Sequence, residues 1–342
     1  MEDISTIGLD LAKNVFQAHG ARSDGSVAFS RKIPRAKPLA FFGSLPKCRV
    51  AMEACGSAHH WARQIEALGH EVRLIAPIYV KPFVKRNKND AADAEAIAEA
   101  ALRPTMRFVA VKSVEKQASG MAFKTRDLLV RQRTQTINAL RGHLAEYGVV
   151  APNGPAHIAR LAETIADGDD RLPASVVALC RMLLSHIASL NDQIRSLEKE
   201  LAERARRDDT AKRLMTIPGI GMICATALEA LAPPPESFSK GRDFAAWLGL
   251  TPRQKSSGGK TRLGSTSKMG QRDLRRLLIS GAIAVVRWAL RKGAPRGSWL
   301  ASMLARKPPL VIAIALANRN ARIAWALMAK GGVYKVSSPS GA

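Results

Sequence analysis

Four acidic residues in the first hundred positions have types and spacing suited to metal-assisted phosphoryl transfer. Asp10 and Glu53 each follow a short apolar run, where strands seldom carry an acid. Asp90 and Asp93 are three residues apart in an alanine-rich stretch, so a helix places them on one face. Oxygen ligands suit Mg²⁺ or Mn²⁺, and a pair of such ions about 4 Å apart stabilises both oxygens of a phosphoryl displacement. The four acids predict a divalent-metal site for phosphodiester chemistry.

A structural role is the alternative for part of this set. Asp90 and Asp93 would complement the helix dipole in a first turn that Asn89 caps, but this leaves Asp10 and Glu53 unexplained. His59 and His60 follow Glu53 closely. For them, packing at a helix start is favoured over a role near the metal.

The elements that must position the acids alternate between strand and helix. Strands are predicted at Thr6 to Leu9, Val15 to His19, Val27 to Ile33, Val50 to Glu53 and Glu71 to Ile75, with a helix through Trp61 to Ile65. The first strands have no helices between them, which indicates an antiparallel meander, whereas the helix before the last strand indicates a parallel crossover. This mixture predicts an α/β domain over residues 1–110 with a ribonuclease H-like, RuvC-like sheet.

Two long helical segments follow, from about Val114 to Tyr147 and from about Pro173 to Arg207, and glycine and proline are nearly absent from both. Apolar residues recur at steps of three and four in each segment: Ile137, Leu140, Leu144 and Tyr147 in the first, and Ile187, Leu190, Ile194, Leu197 and Leu201 in the second. A turn is expected at Pro152 to Pro155. The pattern predicts an antiparallel coiled-coil arm within a connector, residues 111–210, that packs within one chain or against a second.

Charge distinguishes the last third of the chain. The whole sequence has a net charge of +25, and residues 211–342 contain 22 Lys and Arg against 4 acids, a net charge of +18. Such a surface is suited to nucleic acid, and binding should weaken steeply with salt. No uncharged apolar run approaches the length of a membrane span and no signal peptide is visible, so we expect a cytoplasmic protein without a membrane partner. The four cysteines show no zinc or disulfide pattern and are predicted to be buried thiols.

A glycine-containing turn opens this basic region. Ile217-Pro218-Gly219-Ile220-Gly221 lies between two apolar helical stretches and predicts a helix-hairpin-helix, in which Gly219 and Gly221 let the backbone approach a phosphate. A simple helix–helix turn is the alternative.

A second glycine-rich segment carries Ser256 and Ser257 and is predicted to be a flexible loop. A linker is the ordinary interpretation of such a segment, but the surrounding cations favour a loop that contacts phosphate. The cations predicted to bind nucleic acid are Arg253, Lys255, Lys260, Arg262, Lys268, Arg272, Arg275 and Arg276.

Five motifs, in this order along nearly the whole chain, resemble those of DEDD-type insertion-sequence transposases, relatives of the Piv invertase. They are Ile7-Gly8-Leu9-Asp10, Glu53-Ala54-Cys55-Gly56, Lys88-Asn89-Asp90-Ala91-Ala92-Asp93-Ala94, Ile217-Pro218-Gly219-Ile220-Gly221 and Ser256-Ser257-Gly258-Gly259-Lys260. The resemblance implies a RuvC-like domain, a coiled-coil connector, and a mainly helical transposase domain over residues 211–342 that contains an essential serine.

The resemblance also implies a mechanism and partners. Asp10, Glu53, Asp90 and Asp93 would hold Mg²⁺, with Mn²⁺ as a substitute, and Ser257 would attack a DNA phosphate to form a phosphoserine link. The adjacent Ser256 is the alternative nucleophile. A noncoding bridge or seeker RNA of the element would select the double-stranded donor and target DNA by base pairing, and the protein would act as a homo-oligomer, from dimer to tetramer.

Two other functions are compatible with the residues. A RuvC-like Mg²⁺-dependent nuclease would hydrolyse branched DNA with the four acids alone. A basic nucleic-acid scaffold would use the acids only structurally, which leaves the placement of Asp10 and Glu53 without a reason.

Overall fold

The computed structural model describes residues 4–85, 89–154, 157–168 and 170–335. The chain divides into two compact units, Met1–Glu115 and Lys116–Ala342. The second unit contains both the predicted third domain and most of the predicted connector, whose status as separate domains stays a prediction. Lys88 of the third motif and Pro155 of the predicted turn lie outside the described residues.

The first unit combines six strands with four helices and a short 3₁₀ turn among its described residues. In chain order they are β1 Thr6–Asp10, β2 Val15–Ala21, β3 Val27–Pro34, α1 Pro38–Gly43, β4 Arg49–Glu53, α2 Ala58–Ala67, β5 Glu71–Ile75, α3 Pro77–Val80, the 3₁₀ turn Lys81–Phe83, α4 Asp90–Ala101 and β6 Phe108–Val109. The five predicted strands are confirmed within two residues, and the predicted helix lies inside α2. Short α1, α3 and β6 were not predicted, because segments of this length carry no periodic pattern.

The six strands form one mixed sheet in the order β3-β2-β1-β4-β5-β6. Strand β1 is antiparallel to β2 and parallel to β4, which is parallel to β5. The predicted meander and crossover are therefore present, and the topology fits the predicted RuvC-like domain.

The two faces of the sheet are covered by different helices. Ile7 and Leu9 of β1 lie in a core cluster with α1 and α2, whereas Ala51 of β4 packs with Ile97 of α4. Because side chains alternate along a strand, Asp10 and Glu53 belong to the face that α4 covers.

Helix α4 approaches β1 so closely that only glycine fits between them. A Cβ atom on Gly8 would lie 2.1 Å from the carbonyl oxygen of Ala94 and 2.6 Å from the amide nitrogen of Ala98. The alanine-rich surface of α4 permits this approach, which brings the first turn of the helix to the end of β1.

The second unit is mainly helical. Its elements are α5 Val114–Ala145, which begins at the boundary, α6 Ile158–Ala166, α7 Ala174–Arg207, α8 Asp209–Met215, α9 Met222–Leu231, a 3₁₀ turn Pro235–Ser237, α10 Gly241–Trp247, β7 Pro252–Gln254, β8 Leu263–Thr266, α11 Arg272–Lys292, α12 Trp299–Leu304 and α13 Pro309–Lys330. A large apolar core joins α8 and α9 to α10, α11 and α13.

The long helices α5 and α7 run antiparallel within one chain. Polar contacts that cross between them show the direction: Arg204 donates to Ser119 (2.9 Å), Arg126 pairs with Glu198, and Arg133 donates to Asn191 (2.9 Å). The partner number on α7 falls as the number on α5 rises, which fixes the antiparallel direction. A coiled-coil arm with interlocking side chains stays a prediction.

The predicted apolar seam is buried at most of its positions. Ile187, Leu190, Ile194 and Leu201 are buried, whereas Leu197 is half-buried. The inclusion of Tyr147 was wrong, because α5 ends at Ala145 and the tyrosine is exposed.

Helices α7 and α13 each contain a stretch long and apolar enough to cross a membrane, by length and composition only. Core helices of soluble proteins pass the same test, and α13 buries Ile312 and Ala317 in the core of the second unit. Arg319 and Arg322 also interrupt its apolar sequence. The absence of a membrane partner and the cytoplasmic location stay predictions.

Gly8→Ala should destabilise the first unit by about 2–4 kcal/mol, because the new methyl group would overlap backbone atoms of α4. Urea denaturation followed by circular dichroism measures the change. Gly43→Ala is the matched control, since no atom lies within 4 Å of the added Cβ. Equal stability of the two variants would contradict the close helix–strand contact.

Candidate active site and nucleic-acid interface

Two of the four acids end adjacent parallel strands. Leu9 of β1 lies opposite Met52 of β4, so Asp10 and Glu53 occupy the next positions at the same edge of the sheet. Both side chains are partly buried. Their proximity follows from strand register, since Asp10 and Glu53 each come one residue after a paired position.

The other two acids lie in the first turn of α4. The Asn89 side chain caps the helix by accepting a hydrogen bond from the Ala92 amide at 2.9 Å, as the structural interpretation predicted. Asp90 and Asp93 occupy the first turn, where negative charge is favourable to the helix dipole. Capping and site formation are therefore compatible, because the same turn faces the end of β1.

The pKa of Asp10 shows that the acids act on one another. Burial is the largest cause that raises this pKa, to about 6, followed by the negative charges of Asp93, Asp90 and Glu53. A hydrogen bond from the Leu11 backbone lowers it. The structure thus brings all four predicted acids into one electrostatic neighbourhood, centred on Asp10.

This neighbourhood has the chemistry of a divalent-cation site. Its donors are carboxylate oxygens, which hard cations prefer, and the repulsion that raises the Asp10 pKa is relieved by positive charge. In the part of the chain that the structure describes, no group of three or more His, Cys, Asp or Glu side chains is arranged to hold a metal ion. The metal-ligand role of the four acids stays a prediction.

The two histidines that follow Glu53, His59 and His60, have contacts within the first unit. His59 Nδ1 accepts a hydrogen bond from the Lys112 amide (3.2 Å), and the His60 ring packs edge-on against Trp61. Both contacts agree with packing at the start of α2. The prediction of buried thiols holds for Cys48, Cys180 and Cys224 but was wrong for the exposed Cys55.

The predicted helix-hairpin-helix turn joins α8 to α9 and packs against α11. Gly219 has a positive φ of 88°, and a Cβ on Gly281 would lie 1.8 Å from the Gly219 carbonyl oxygen. The Asn320 side chain donates to the Pro218 carbonyl at 2.8 Å. Packing within the protein therefore explains Gly219 without a phosphate.

Gly221 lies differently in the same turn. It is exposed and is the N-cap of α9, with no side-chain cap hydrogen bond. Amide groups at such a helix start are suited to a phosphate. Phosphate contact by the helix-hairpin-helix stays a prediction, and Gly221 is the better placed of the two glycines.

The serine segment connects two short strands of a β-hairpin, which the sequence did not predict, and its flexibility stays a prediction. Strands β7 and β8 are antiparallel, and the Lys260 amide donates to the Ser257 carbonyl at 3.1 Å. Gly258 and Gly259 have φ of 55° and 75°, which identifies a tight turn of the type I′ class. The two glycines thus fold the chain back at Ser257.

The two serines of this hairpin differ in their hydrogen bonds. The Ser256 hydroxyl accepts from the Arg262 amide at 3.1 Å and so belongs to the hairpin's own bonding. Ser257 is exposed, and within the described residues its hydroxyl has no hydrogen-bond partner. The structure therefore leaves the Ser257 hydroxyl accessible at the turn.

The predicted nucleic-acid-binding cations fall into two groups. Arg275 is half-buried, whereas the other cations are exposed: Arg253, Lys255, Lys260, Arg262, Lys268, Arg272 and Arg276. Arg275 donates to the Leu248 carbonyl at 3.0 Å, and Arg276 pairs with Asp127 of α5. Arg275 and Arg276 thus have structural partners, and the nucleic-acid role of the whole set stays a prediction.

The fold and the arrangement of acids define a DEDD-type transposase domain, and comparison with known families agrees. Residues 7–149 match a family model for the DEDD transposase of IS110, described as transposase. Residues 211–295 match the model described as transposase IS116/IS110/IS902 family.

Several proteins described as transposases match this chain over nearly its whole length. A probable family 20 transposase of Pseudomonas aeruginosa is 50% identical over 97% of this chain and 99% of its own. The transposase for insertion sequence element IS1328 of Yersinia enterocolitica is 41% identical over 98% and 99%. The transposase for IS1111A of Coxiella burnetii is 39% identical over 98% and 92%. The chain belongs to the IS110/IS116/IS902 family of transposases, enzymes whose substrate is DNA.

Asp10→Asn should make the stability of the first unit less dependent on pH. Because the Asp10 pKa is higher in the folded protein than in the unfolded chain, the wild type loses stability as pH rises from about 4 to about 6, and the variant does not. At neutral pH the variant should be more stable by about 1–2 kcal/mol, a value that allows for solvent screening of a half-exposed group.

Urea denaturation at a series of pH values measures this difference. The two proteins should be equally stable near pH 4, and Mg²⁺ should narrow the gap at neutral pH by stabilising only the wild type. A difference that stays constant with pH would show that neither burial nor the other three acids raise the pKa of Asp10 in the folded protein.

Proposed function

We propose that this transposase cuts, exchanges and rejoins the DNA strands of an insertion sequence through a covalent link between Ser257 and a DNA phosphate. The observation that carries the proposal is the β-hairpin turn, which presents an exposed serine hydroxyl that has no hydrogen-bond partner in the described part of the chain. Ser256 is disfavoured as the nucleophile because its hydroxyl already accepts from the Arg262 amide.

The reaction needs no external energy source. As Ser257 Oγ attacks the phosphorus, a serine–phosphate bond forms, the bond to one sugar oxygen breaks, and the serine proton passes to a base. A sugar hydroxyl of another strand then attacks the same phosphorus and releases the serine. Each step exchanges one phosphoester for another, so strands are resealed without ATP.

The hairpin itself offers charge for this chemistry. Lys255, Lys260 and Arg262 are exposed on the two arms beside Ser257. Their positive charges offset the negative charge of a DNA phosphate and of the transition state that forms from it. The hydrogen bond from the Lys260 amide to the Ser257 carbonyl also restricts the backbone at the serine more than an unpaired linker would.

The four acids of the first unit are proposed to have a separate role in the reaction. Asp10, Glu53, Asp90 and Asp93 would hold Mg²⁺, which polarises a phosphate and stabilises charge on the exchanged oxygens. The raised Asp10 pKa supports this role, because the fold has placed carboxylates together at an electrostatic cost that a cation offsets. In the absence of a cation the same repulsion favours a proton on Asp10 at mildly acidic pH.

Recognition of DNA sequence is proposed to come from RNA. The family resemblance supports a noncoding RNA of the element as guide, with base pairing rather than side chains reading the donor and target. The net charge of +18 over residues 211–342 is suited to hold both nucleic acids. We also propose action as a homo-oligomer, dimer to tetramer, since strand exchange needs more than one cleavage at a time.

Ser257→Ala should abolish the covalent protein–DNA product, a loss of at least about a hundredfold, because no other group replaces the nucleophile. The full-length protein is incubated with its element's noncoding RNA, junction DNA and Mg²⁺, and protein-linked strands are resolved on a denaturing gel. Ser256→Ala, one residue away, is the matched control and should retain the product.

Other outcomes separate the alternatives. Free cleaved ends that persist in Ser257→Ala but vanish in Asp10→Asn would identify a RuvC-like nuclease and reject the serine intermediate. Loss of the product in Ser256→Ala alone would reassign the nucleophile. The reaction can also be run without RNA. If the covalent product then forms in the same yield and at the same DNA sequences, RNA guidance is rejected and the serine chemistry is unaffected.

A further inference from the structure

A basic groove in the second unit lies outside the sites described above. Its larger part is a cavity of about 890 Å³, and an adjoining cavity of about 540 Å³ shares Arg242, Asn318 and Arg322 with it. The adjoining part reaches Gln254 of β7 and Leu263 of β8. The two parts therefore form one continuous groove that ends at the base of the serine hairpin.

The walls of this groove are held together by backbone contact. A Cβ on Gly241, the first residue of α10, would lie 2.9 Å from the Arg322 carbonyl oxygen of α13. The Trp325 indole donates to the Pro235 carbonyl at 3.0 Å, and the Asn318 amide donates to the Leu250 carbonyl at 3.1 Å. The groove is a built feature of the fold, because its two sides cannot separate without breaking these contacts.

Positive charge is concentrated along the groove. The cationic side chains that line it are Lys240, Arg242, Arg319 and Arg322. None of them forms an ion pair with any residue that the structure describes. Asp243 is the one carboxylate among the described lining residues, and it accepts a hydrogen bond from Ser239. Among the described lining residues, four cations accompany one carboxylate, and this excess of positive charge is suited to bind a polyanion.

Aromatic side chains lie among these charges. Trp299 lines the groove half-buried, and the Arg319 guanidinium lies 5.2 Å from its ring centroid. Trp325 lines the same cavity. Flat aromatic and guanidinium surfaces stack on nucleobases, whose faces are accessible only in an unpaired strand. The combination distinguishes this groove from a purely electrostatic duplex-binding surface.

We propose that the groove binds an unpaired stretch of the DNA substrate, with phosphates at Arg242 and Arg322 and a base against Trp299 and Arg319. DNA is the substrate of the family, and the groove's volume accommodates more than one nucleotide. Because the groove reaches the base of the β7–β8 hairpin, a strand bound there runs toward the serine turn. The proposal holds whether or not Ser257 forms a covalent link.

Fluorescence anisotropy with the full-length protein and a labelled single-stranded DNA of about 15 nucleotides tests the proposal. The double variant Arg242→Gln/Arg322→Gln should bind about tenfold more weakly, and its slope of log affinity against log salt should fall by about 1.4 because two phosphate contacts are lost. Trp299→Leu should weaken binding about tenfold without changing the slope.

Matched controls separate the groove from general charge and from folding. Arg181→Gln removes an exposed cation of α7 outside the groove and should leave affinity and slope near those of the wild type. Ser257→Ala should also bind normally, which separates this proposal from the serine chemistry. Urea midpoints equal to that of the wild type establish that the arginine variants are folded.

Three results would overturn the proposal. The first is a salt slope in the folded double variant that equals the slope of the wild type. The second is tighter binding of the matching duplex than of the single strand, with the variants losing the same affinity for both. The third is a loss of affinity in the variants that is confined to an RNA of the same sequence. The last result would assign the groove to RNA instead of the DNA substrate.

Discussion

The contact between α4 and β1 at Gly8 is the constraint on which the first unit depends. Backbone atoms of Ala94 and Ala98 occupy the space that any side chain at position 8 would need. This approach places the first turn of α4 beside the end of β1, where strand register has already set Asp10 next to Glu53. Packing brings the four carboxylates into one electrostatic neighbourhood, and the Asp10 pKa is raised first by burial and then by the charges of the other three acids. A glycine, an alanine-rich helix and two parallel strands thereby create the neighbourhood for which a divalent cation is proposed.

A comparable glycine contact organises the second unit. Gly219 and Gly281 bring the α8–α9 turn against α11, and Asn320 of α13 fixes the same turn through the Pro218 carbonyl. Glycine in a phosphate-binding motif is ordinarily explained by the ligand, but here one of the two glycines is required by the protein's own core. The serine hairpin shows the opposite relation, since its paired glycines create the turn and leave Ser257 exposed. In this unit some motif residues, such as Gly219, are required by packing, whereas others, such as Ser257, are left exposed.

Much of the first unit could be predicted from sequence, because alternation and short apolar runs report strands directly. The four acids were also found, since an acid at the end of an apolar run is conspicuous. Partners distant in sequence could not be predicted: Arg276 finds Asp127 on α5, and Arg275 finds the Leu248 carbonyl. The groove was missed for the same reason, because its walls come from α10, α12 and α13. Its only sequence signal was the excess positive charge of the last third. The pair Gly258 and Gly259 does not predict the hairpin, because adjacent glycines are typical of flexible loops and of type I′ turns alike.

The central claim is that the four carboxylates form one divalent-cation site, and proton release on metal binding tests it most directly. Calorimetric titration of Mn²⁺ near pH 6, in two buffers with different ionisation enthalpies, measures the protons released per ion bound. Because burial and, to a lesser degree, the neighbouring acids raise the Asp10 pKa to about 6, a cation bound there should displace a substantial fraction of one proton, and Asp10→Asn should abolish both binding and release. Binding of Mn²⁺ by the wild type without proton release, or with equal affinity in Asp10→Asn, would contradict the account.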